Sequence, residues 1–406
     1  MASSPKPIVV LGAGYGGITA TLRLAKLFKS HPDYQVHLAD RHPYHLLETR
    51  LHEAAARRAE VTVPILGLLK KRKVLFHLAE ILKIDLETRK VICLDQEILY
   101  HYLVIALGSK TNFYDIPGLK EYALELKSFH DTLKIRDQIE RMFARAAGIA
   151  DPVQRKPYLT FVIGGGGLTG VELAAELSEF IEELSLRYRM NPSDSNLILI
   201  EVSNSILPNL KENLIQRTKR ELIEKRVKTL ESTRVMEMKP GLVIIQPGQP
   251  LQAHTLIWTG GIRISSLMQA SGLETGPLGR IVVDEFLQVK NYPQVYAIGD
   301  NALAMNPKTG QPVPAAAQFA LQQGRLVANN IYAEVTGKPR KPYKPKVLGE
   351  VISLGRHLSV GWLALPGERR LGFIGFLASL LKRAIAERHL LLLWKESRNW
   401  SRAQRY

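Results

Sequence analysis

Two glycine runs carry the first chemistry in this chain. Gly12-x-Gly14-x-x-Gly17 follows the apolar run Pro7–Leu11, and Gly165-x-Gly167-x-x-Gly170 follows Tyr158–Ile163. In such a run the first glycine permits a tight turn and the second lets the backbone approach a pyrophosphate. The third lets a helix pack closely on a strand. The helix start then offers free N–H groups and the positive end of its dipole to a phosphate. Each run precedes a second apolar segment that ends in an acid: Asp40 after Tyr34–Ala39, and Glu201 after Leu197–Ile200. A carboxylate there suits a ribose diol, and at Glu201 it would repel a 2′-phosphate, so NADH is expected over NADPH. The competing reading of Glu201 is an exposed acid at a strand end. Together the two runs point to two dinucleotide sites.

The elements that must position these residues repeat. Pro7–Leu11, Ile18–Leu27 and Tyr34–Ala39 read as strand, helix and strand, and so do Tyr158–Ile163, Val171–Ser178 and Leu197–Ile200. The expected fold class is therefore α/β, with two Rossmann-like dinucleotide-binding domains, the second inserted in the first. The first domain is expected over residues 1–118 and 255–340, the second over 119–254, and a C-terminal region over 341–406. Lys90–Leu94 and Tyr102–Ala106 read as strands of the first domain. Phe129–Ala147 reads as an amphipathic helix leading into the second. Leu242–Ile245, Thr255–Trp258 and Val295–Ile298 are further short strands, and Gly337–Lys346, rich in Pro and Lys, reads as a linker.

Composition removes several alternatives. The 406 residues suit two or three domains, and 46% hydrophobic with 23% charged residues excludes wholesale disorder. One cysteine, Cys93, excludes an intramolecular disulfide, a Cys-rich metal site and a CxxC redox centre; within an apolar strand it reads as core. The 11 histidines have no ligand spacing, and no metal is expected. Neither a secretory signal nor an apolar run of spanning length is visible. The net charge is +17, and residues 338–406 hold 15 basic against 4 acidic residues. Such an excess either solvates a tail or seeks an anionic partner.

Further motifs extend the pattern. Tyr296-Ala-Ile-Gly-Asp300 ends a strand in a Gly-Asp turn, and Tyr102-Leu-Val-Ile-Ala-Leu-Gly-Ser109 reads like a strand that more often ends Ala-Thr-Gly-Ser, with Leu107 in place of Thr. With the two glycine runs, these resemble the two-dinucleotide-domain FAD/NAD(P)-binding flavoproteins over about Pro7 to Leu326. Members that use a cysteine pair, the disulfide reductases and sulfide:quinone oxidoreductases, need sulfurs this chain lacks. Ala317-Gln318-Phe-Ala320-Leu-Gln322 resembles the Ala-Gln-x-Ala-x-Gln signature of type II NADH dehydrogenases, which reduce quinone without pumping protons.

The resemblance implies non-covalent FAD held by Gly12, Gly14, Tyr15, Gly16, Gly17, Asp40, Arg41, Ala106, Gly108, Asp300, Ala317 and Gln318. It implies NADH at Gly165, Gly167, Leu168, Thr169, Gly170, Glu172, Glu201 and Gly261. Catalytic roles fall to Glu172, Gln318 and Gln322. The two glutamines, one turn apart, would offer amide donors to quinone oxygens as charge develops; the plainer reading is a polar face turned to solvent. Glu172 would lie near nicotinamide and flavin; the plainer reading is a first-turn carboxylate satisfying the helix dipole. Tyr44–Ala55 resembles a flavin-proximal segment in one branch, with Glu48-Thr49 where Gln-Pro is more frequent.

The C-terminus then reads as a membrane-surface element. Phe373, Ile374, Leu377, Leu381, Ala384 and Ile385 follow helical spacing, Arg383 and Glu387 lie opposite, and Trp394, Lys395, Arg398, Trp400, Arg402 and Arg405 follow. An apolar face with basic flanks and Trp anchors suits an interfacial helix; a core or dimer helix is the alternative. The expected partners are quinone and anionic lipid at the cytoplasmic face of the cell membrane, with a homodimer as a further expectation. The alternatives are a biosynthetic NAD(P)H:demethylnaphthoquinone reductase and a soluble reductase of a small redox protein. Nucleic acid is not expected, since no aromatic-interleaved basic groove is visible.

Overall fold

The computed structural model describes residues 4–70, 72–365 and 369–397. The first Rossmann-like unit opens with β1 (Lys6–Leu11), α1 (Tyr15–Leu27) and β2 (Tyr34–Asp40). It continues through α2 (Leu51–Arg57), β3 (Val74–Leu78) and β4 (Tyr102–Ile105). Ile8 to Leu11 and Leu103 to Ile105 are fully buried, as expected of parallel strands covered on both faces. Between β3 and β4, Ile81–Asp85, Lys90–Cys93 and Glu97–Leu99 form a small antiparallel sheet. Val91 and Cys93 pack with Val9 and Leu11 on one face of the main sheet. Cys93 is buried there, which pushes its thiol up.

The second unit comprises β5 (Leu124–Glu125), α3 (Phe129–Ala147), β6 (Thr160–Gly164), α4 (Leu168–Arg187), β7 (Asn196–Ile200), β8 (Val227–Leu230) and β9 (Thr255–Trp258). Its parallel sheet runs β5–β9–β6–β7–β8. The boundary expected at residue 254 therefore shifts: Thr255–Trp258 pairs with β6 and β5, because this apolar strand, like β6, is fully buried in the centre of the second sheet. The chain then rejoins the first sheet through β10 (Gln288–Val289) and β11 (Tyr292–Ala297), giving the order β10–β11–β4–β1–β2–β3.

Helix α5 (Ala317–Val335) returns across α1. The crossing is close because it uses glycine: a Cβ at Gly324 would stand 2.3 Å from the Gly16 carbonyl oxygen. After residues 336–348, which carry no regular structure, β12 (Gly349–Ser353), β13 (Ser359–Ala364) and β14 (Arg370–Gly375) form an antiparallel sheet, and α6 (Phe376–Ser397) closes the described chain.

The C-terminal expectation needs correction here. Phe373 and Ile374 belong to a strand, in register with Gly361 and Val360. Gly372 and Gly375 disfavour helix, and Gly375 sits at φ +105°, outside any helical conformation. Within α6 the buried side is Ala378, Ser379, His389 and Leu393, with Lys382 half-buried beside them. The outward side exposes Phe376, Leu380 and Leu391. The residues expected to flank it at 398–405, and the side chains of Leu377, Arg383, Ile385, Trp394 and Lys395, lie outside the described residues.

Helix α3 spans the residues read from periodicity, and its start has a local cause. Ser128 Oγ accepts from the Asp131 N–H at 3.2 Å, and Asp131 accepts from the Ser128 N–H at 2.8 Å, a reciprocal cap. Ser128→Ala is expected to cost about 1 kcal/mol. Chemical denaturation should show a lowered midpoint with unchanged slope, and an unmoved midpoint would assign the helix start to packing alone.

Candidate functional site

The first glycine loop is shaped by close backbone contacts. Gly12 has φ +95°, and a Cβ there would stand 2.3 Å from the Ala106 carbonyl oxygen; one at Gly17 would stand 1.8 Å from the Gly12 carbonyl oxygen. Gly14 differs, since a Cβ there would meet nothing within 4 Å. It opens onto the start of α1, which has no side-chain cap and no acid in its first turn. These N–H groups are left for an anion from outside the chain. Asp40 accepts from Ala13 N–H at 2.6 Å and His42 N–H at 2.7 Å. Burial pushes its carboxyl up, and the two N–H bonds oppose this. A carboxylate has about four acceptor positions, so it can brace the loop and still meet a ribose. Arg41 is exposed beside it.

The second loop repeats the pattern of the first. Gly165 has φ +108°, a Cβ at Gly170 would stand 1.9 Å from the Gly165 carbonyl oxygen, and Gly167 is open. Helix α4 starts at Leu168 and Thr169, again without a side-chain cap or a first-turn acid. Glu201 accepts from Gly166 N–H at 2.6 Å and Ser203 N–H at 2.7 Å. It is buried, so the reading of an exposed strand-end acid fails. Gly261, at φ +156°, faces the hydroxyl of Tyr114, which leaves no room for a side chain.

Near the first loop, the Gly-Asp turn is fastened to the end of β4. Asp300 accepts from the Ser109 hydroxyl at 2.6 Å, and Ser109 accepts from Lys127 at 3.2 Å. Asn301 pairs with both the N–H and the carbonyl of Gly108, at 2.9 and 3.2 Å. Gln323 accepts from Gly299 N–H at 2.6 Å. Thus Ala106, Gly108 and Asp300 are brought together, and α5, uncapped and without a first-turn acid, reaches the same turn at Gly299 through Ala320 and Gln323. The contact of Gly16 with Ala320 and Ile298 holds α5 in place. Asn301, fully buried, was not singled out from sequence, although it directly follows the motif.

The C-terminal helix reaches into this region. Tyr15, at the start of α1, bonds the Thr49 hydroxyl at 2.8 Å and lies 4.8 Å from the His389 ring. His45 Nδ1 donates to the Ala13 carbonyl at 2.7 Å, so its Nε2 must accept from His389 Nε2, 3.1 Å away. Burial brings His45 down to about 4 and His389, beside it, to about 3.

Glu172 is neither a simple dipole partner nor a free acid. It is buried and accepts from Ser353 N–H of β12 at 3.0 Å, from the Ser353 hydroxyl and from the Lys382 ammonium of α6. His52 of α2 lies 3.6 Å away. Burial alone would raise the carboxyl, but His52 and Lys382 beside it hold it below the usual range. Burial also lowers His52 to about 4, so at neutral pH the Lys382 ammonium is the charge that keeps Glu172 ionised. One helical turn on, Glu176 takes a two-pronged bond from Arg57 at 2.7 and 2.5 Å. Ser353 and Lys382 had no signal in the sequence, and His52 lay within Tyr44–Ala55 without being singled out.

Gln318 and Gln322 do not turn to solvent. Gln318 accepts from Leu348 N–H at 2.9 Å and donates to the Gly349 carbonyl at 3.3 Å. Gln322 accepts from Lys346 N–H at 2.9 Å and donates to the Lys346 carbonyl at 2.8 Å. Both amides are thus engaged by the chain itself.

Residues 6–324 match the family model described as pyridine nucleotide-disulphide oxidoreductase. The type II NADH:quinone oxidoreductase of Staphylococcus aureus is 32% identical over 367 residues, covering 89% of this chain and 90% of that protein. The chain belongs to the type II NADH:quinone oxidoreductases. It is an FAD-dependent enzyme that oxidises NADH and reduces quinone. In fold it is similar to NDH2 of Plasmodium falciparum solved with NADH, at a TM-score of 0.85, 23% identity and coverage of 97% and 96%. It is also similar to the sulfide:quinone oxidoreductase of Aquifex aeolicus, at a TM-score of 0.77 and 20% identity over 96% and 92%. The single buried cysteine of this chain supplies no cysteine pair. The open Gly14, the uncapped α1 and the braced Asp40 fit the phosphates and ribose of FAD.

The buried neutral histidines set a pH dependence. His45, His52 and His389 are held at about 4, about 4 and about 3, below their unfolded value of about 6.5. As pH falls through about 6.5 the unfolded chain binds protons that the native chain excludes, so stability is lost. Asp40 and Glu176, which burial raises, act with the opposite sign, but from lower starting values. The melting temperature should therefore drop between about pH 7 and about pH 5.5. A flat or rising profile would show that the histidines are protonated in the native state.

Proposed function

We propose that hydride passes from NADH, held at the second glycine loop, to FAD at the first, and that two electrons then pass to a membrane quinone, without proton pumping. FAD supplies the capacity to accept a hydride and release its electrons onward; the chain supplies binding, orientation and charge. The carrying observation is the position of the Ala317–Gln322 turn. It meets the Gly299–Asp300 turn and Gly16 of α1 through Ala320, and is bonded through its glutamines to the segment that enters the C-terminal sheet. One turn of helix thus borders the flavin site on one side and the C-terminal region on the other.

In this reading the uncapped start of α5 favours negative charge on the reduced flavin. Glu172, kept ionised by Lys382, bounds the side where the two domains meet. Glu201 favours NADH, because a 2′-phosphate would approach a buried carboxylate already fixed by two N–H groups. Anaerobic stopped-flow absorbance tests both halves. NADH should bleach the flavin band faster than NADPH, and a menaquinone or ubiquinone analogue should restore it. A band that stays bleached after quinone addition would move the acceptor to a protein partner.

We assign the membrane contact, at the cytoplasmic face, to the outward side of α6 and its neighbours. Phe376, Leu380 and Leu391 are exposed along one side of that helix, with Leu371 and Ile374 of β14, Leu365, Val347 and Leu348 nearby in the chain. Arg369, Arg370 and Arg388 are exposed with them, as is Glu387. No described helix is long and apolar enough to cross a membrane, so the proposed mode is interfacial. The triple variant Phe376→Glu/Leu380→Glu/Leu391→Glu should fall at least about tenfold in cosedimentation with anionic vesicles, since each buried apolar side chain contributes about 1.5–3 kcal/mol. Undiminished binding would place the contact elsewhere.

A further inference from the structure

Three carboxamides of α5 form a ladder against the segment 341–349. Asn330 accepts from Lys341 N–H at 3.0 Å and donates to its carbonyl at 2.9 Å. Gln322 pairs in the same way with Lys346, and Gln318 with Leu348 and Gly349. The segment therefore runs antiparallel to α5, each amide acting as a strand residue would. Pro342 and Pro345 have no N–H to offer, which limits the rungs to the residues between and beyond them.

The two ends of the ladder differ. Asn330 is 1% exposed, and Tyr343 beside its rung is 5% exposed, with its N–H donated to the Glu285 carbonyl at 2.6 Å. The rungs at Lys346 and Leu348 lie in the open, and Val347 and Leu348 turn their side chains outward at 46% and 54% exposure. Solvent-accessible bonds with little apolar cover open first.

We infer that residues 344–349 are a strap hinged at Asn330 and Tyr343, which quinone opens by taking over the carboxamides of Gln318 and Gln322. The inference rests on the reading that quinone is reduced beside the Ala317–Gln322 turn. A quinone carbonyl can accept only from an amide N–H; with the strap closed, Gln322 spends its two N–H groups on the Lys346 and Gln318 carbonyls, and Gln318 spends one of its two on the Gly349 carbonyl. Acceptor binding at Gln322 and strap closure therefore compete for the same carboxamide, and each lowers the population of the other. Gln318 and Gln322 act through the strap as positioning residues before either touches the acceptor.

Hydrogen–deuterium exchange on the oxidised holoenzyme tests this, with menadione as the probe at a concentration that saturates turnover. Uptake in the peptide covering residues 343–351 should rise about tenfold on adding menadione, the equivalent of one lost hydrogen bond near 1.4 kcal/mol, while residues 325–335 stay unchanged. Unchanged or slower uptake at 343–351 would overturn the strap. Gln318→Ala/Gln322→Ala should exchange fast at 343–351 without menadione and show no further rise with it. A further rise in that variant would also overturn the inference. Failure of menadione to reoxidise the reduced flavin in stopped-flow would instead overturn the acceptor reading, and the strap with it.

Discussion

A buried carboxylate cannot stay charged without a partner, and Glu172 finds its partners 181 and 210 residues further along the chain. Ser353 and Lys382 bring β12 and α6 against the helix that starts at the second dinucleotide loop, while His52 brings α2 of the first. Removing one member of such a group leaves an uncompensated charge, which costs about 3–5 kcal/mol. The C-terminal region is for this reason part of the body of the enzyme and not an appendage that can be cut away. Arg57 and Glu176 repeat the arrangement one turn along, tying the same two helices with a two-pronged bond.

The two dinucleotide loops obey a different constraint. Each needs donors that the protein itself does not use, and each is kept open by the same device: a helix with no cap, a glycine facing empty space, and an acid that accepts one N–H bond on each of its oxygens to brace the turn. The matching geometry at Asp40 and Glu201 follows from the matching backbone, since both acids end the strand next to the loop they support. The C-terminal helix adds a fixture that the second loop lacks, because His389 joins His45 and Tyr15 at the first.

Function follows from how these parts are coupled. Helix α5 meets the Gly-Asp turn near its start, α1 at Gly324 and residues 346–349 through its carboxamides, so in the proposed reading one element borders both the flavin and the approach of the acceptor. The outward apolar side chains of α6, β14 and the strap all lie in the last 60 residues, from Val347 onward. In the proposed interfacial mode, a lipid-soluble acceptor would approach from this side.

The sequence alone determined what depends on local backbone chemistry. The glycine runs, their acids, the Gly-Asp turn and the helix at Phe129–Ala147 were legible because turn geometry, helix capping and apolar periodicity act over a few residues. The flavoprotein family was legible because four motifs occur in one order, and the class of enzyme because Ala317–Gln322 resembles a signature of that class. What only the tertiary structure decided involves distant partners. The reach of β9 into the second sheet, the strand at Arg370–Gly375 in place of the first turns of a helix, and the pairing of Lys382 with Glu172 all depend on neighbours far along the chain. Gln318 and Gln322 illustrate the limit: their spacing placed them on one face, but only the folded chain shows that this face is occupied by its own backbone. Hydrogen-bond partners of a side chain are set by what the fold brings within about 3 Å, and no local pattern encodes that.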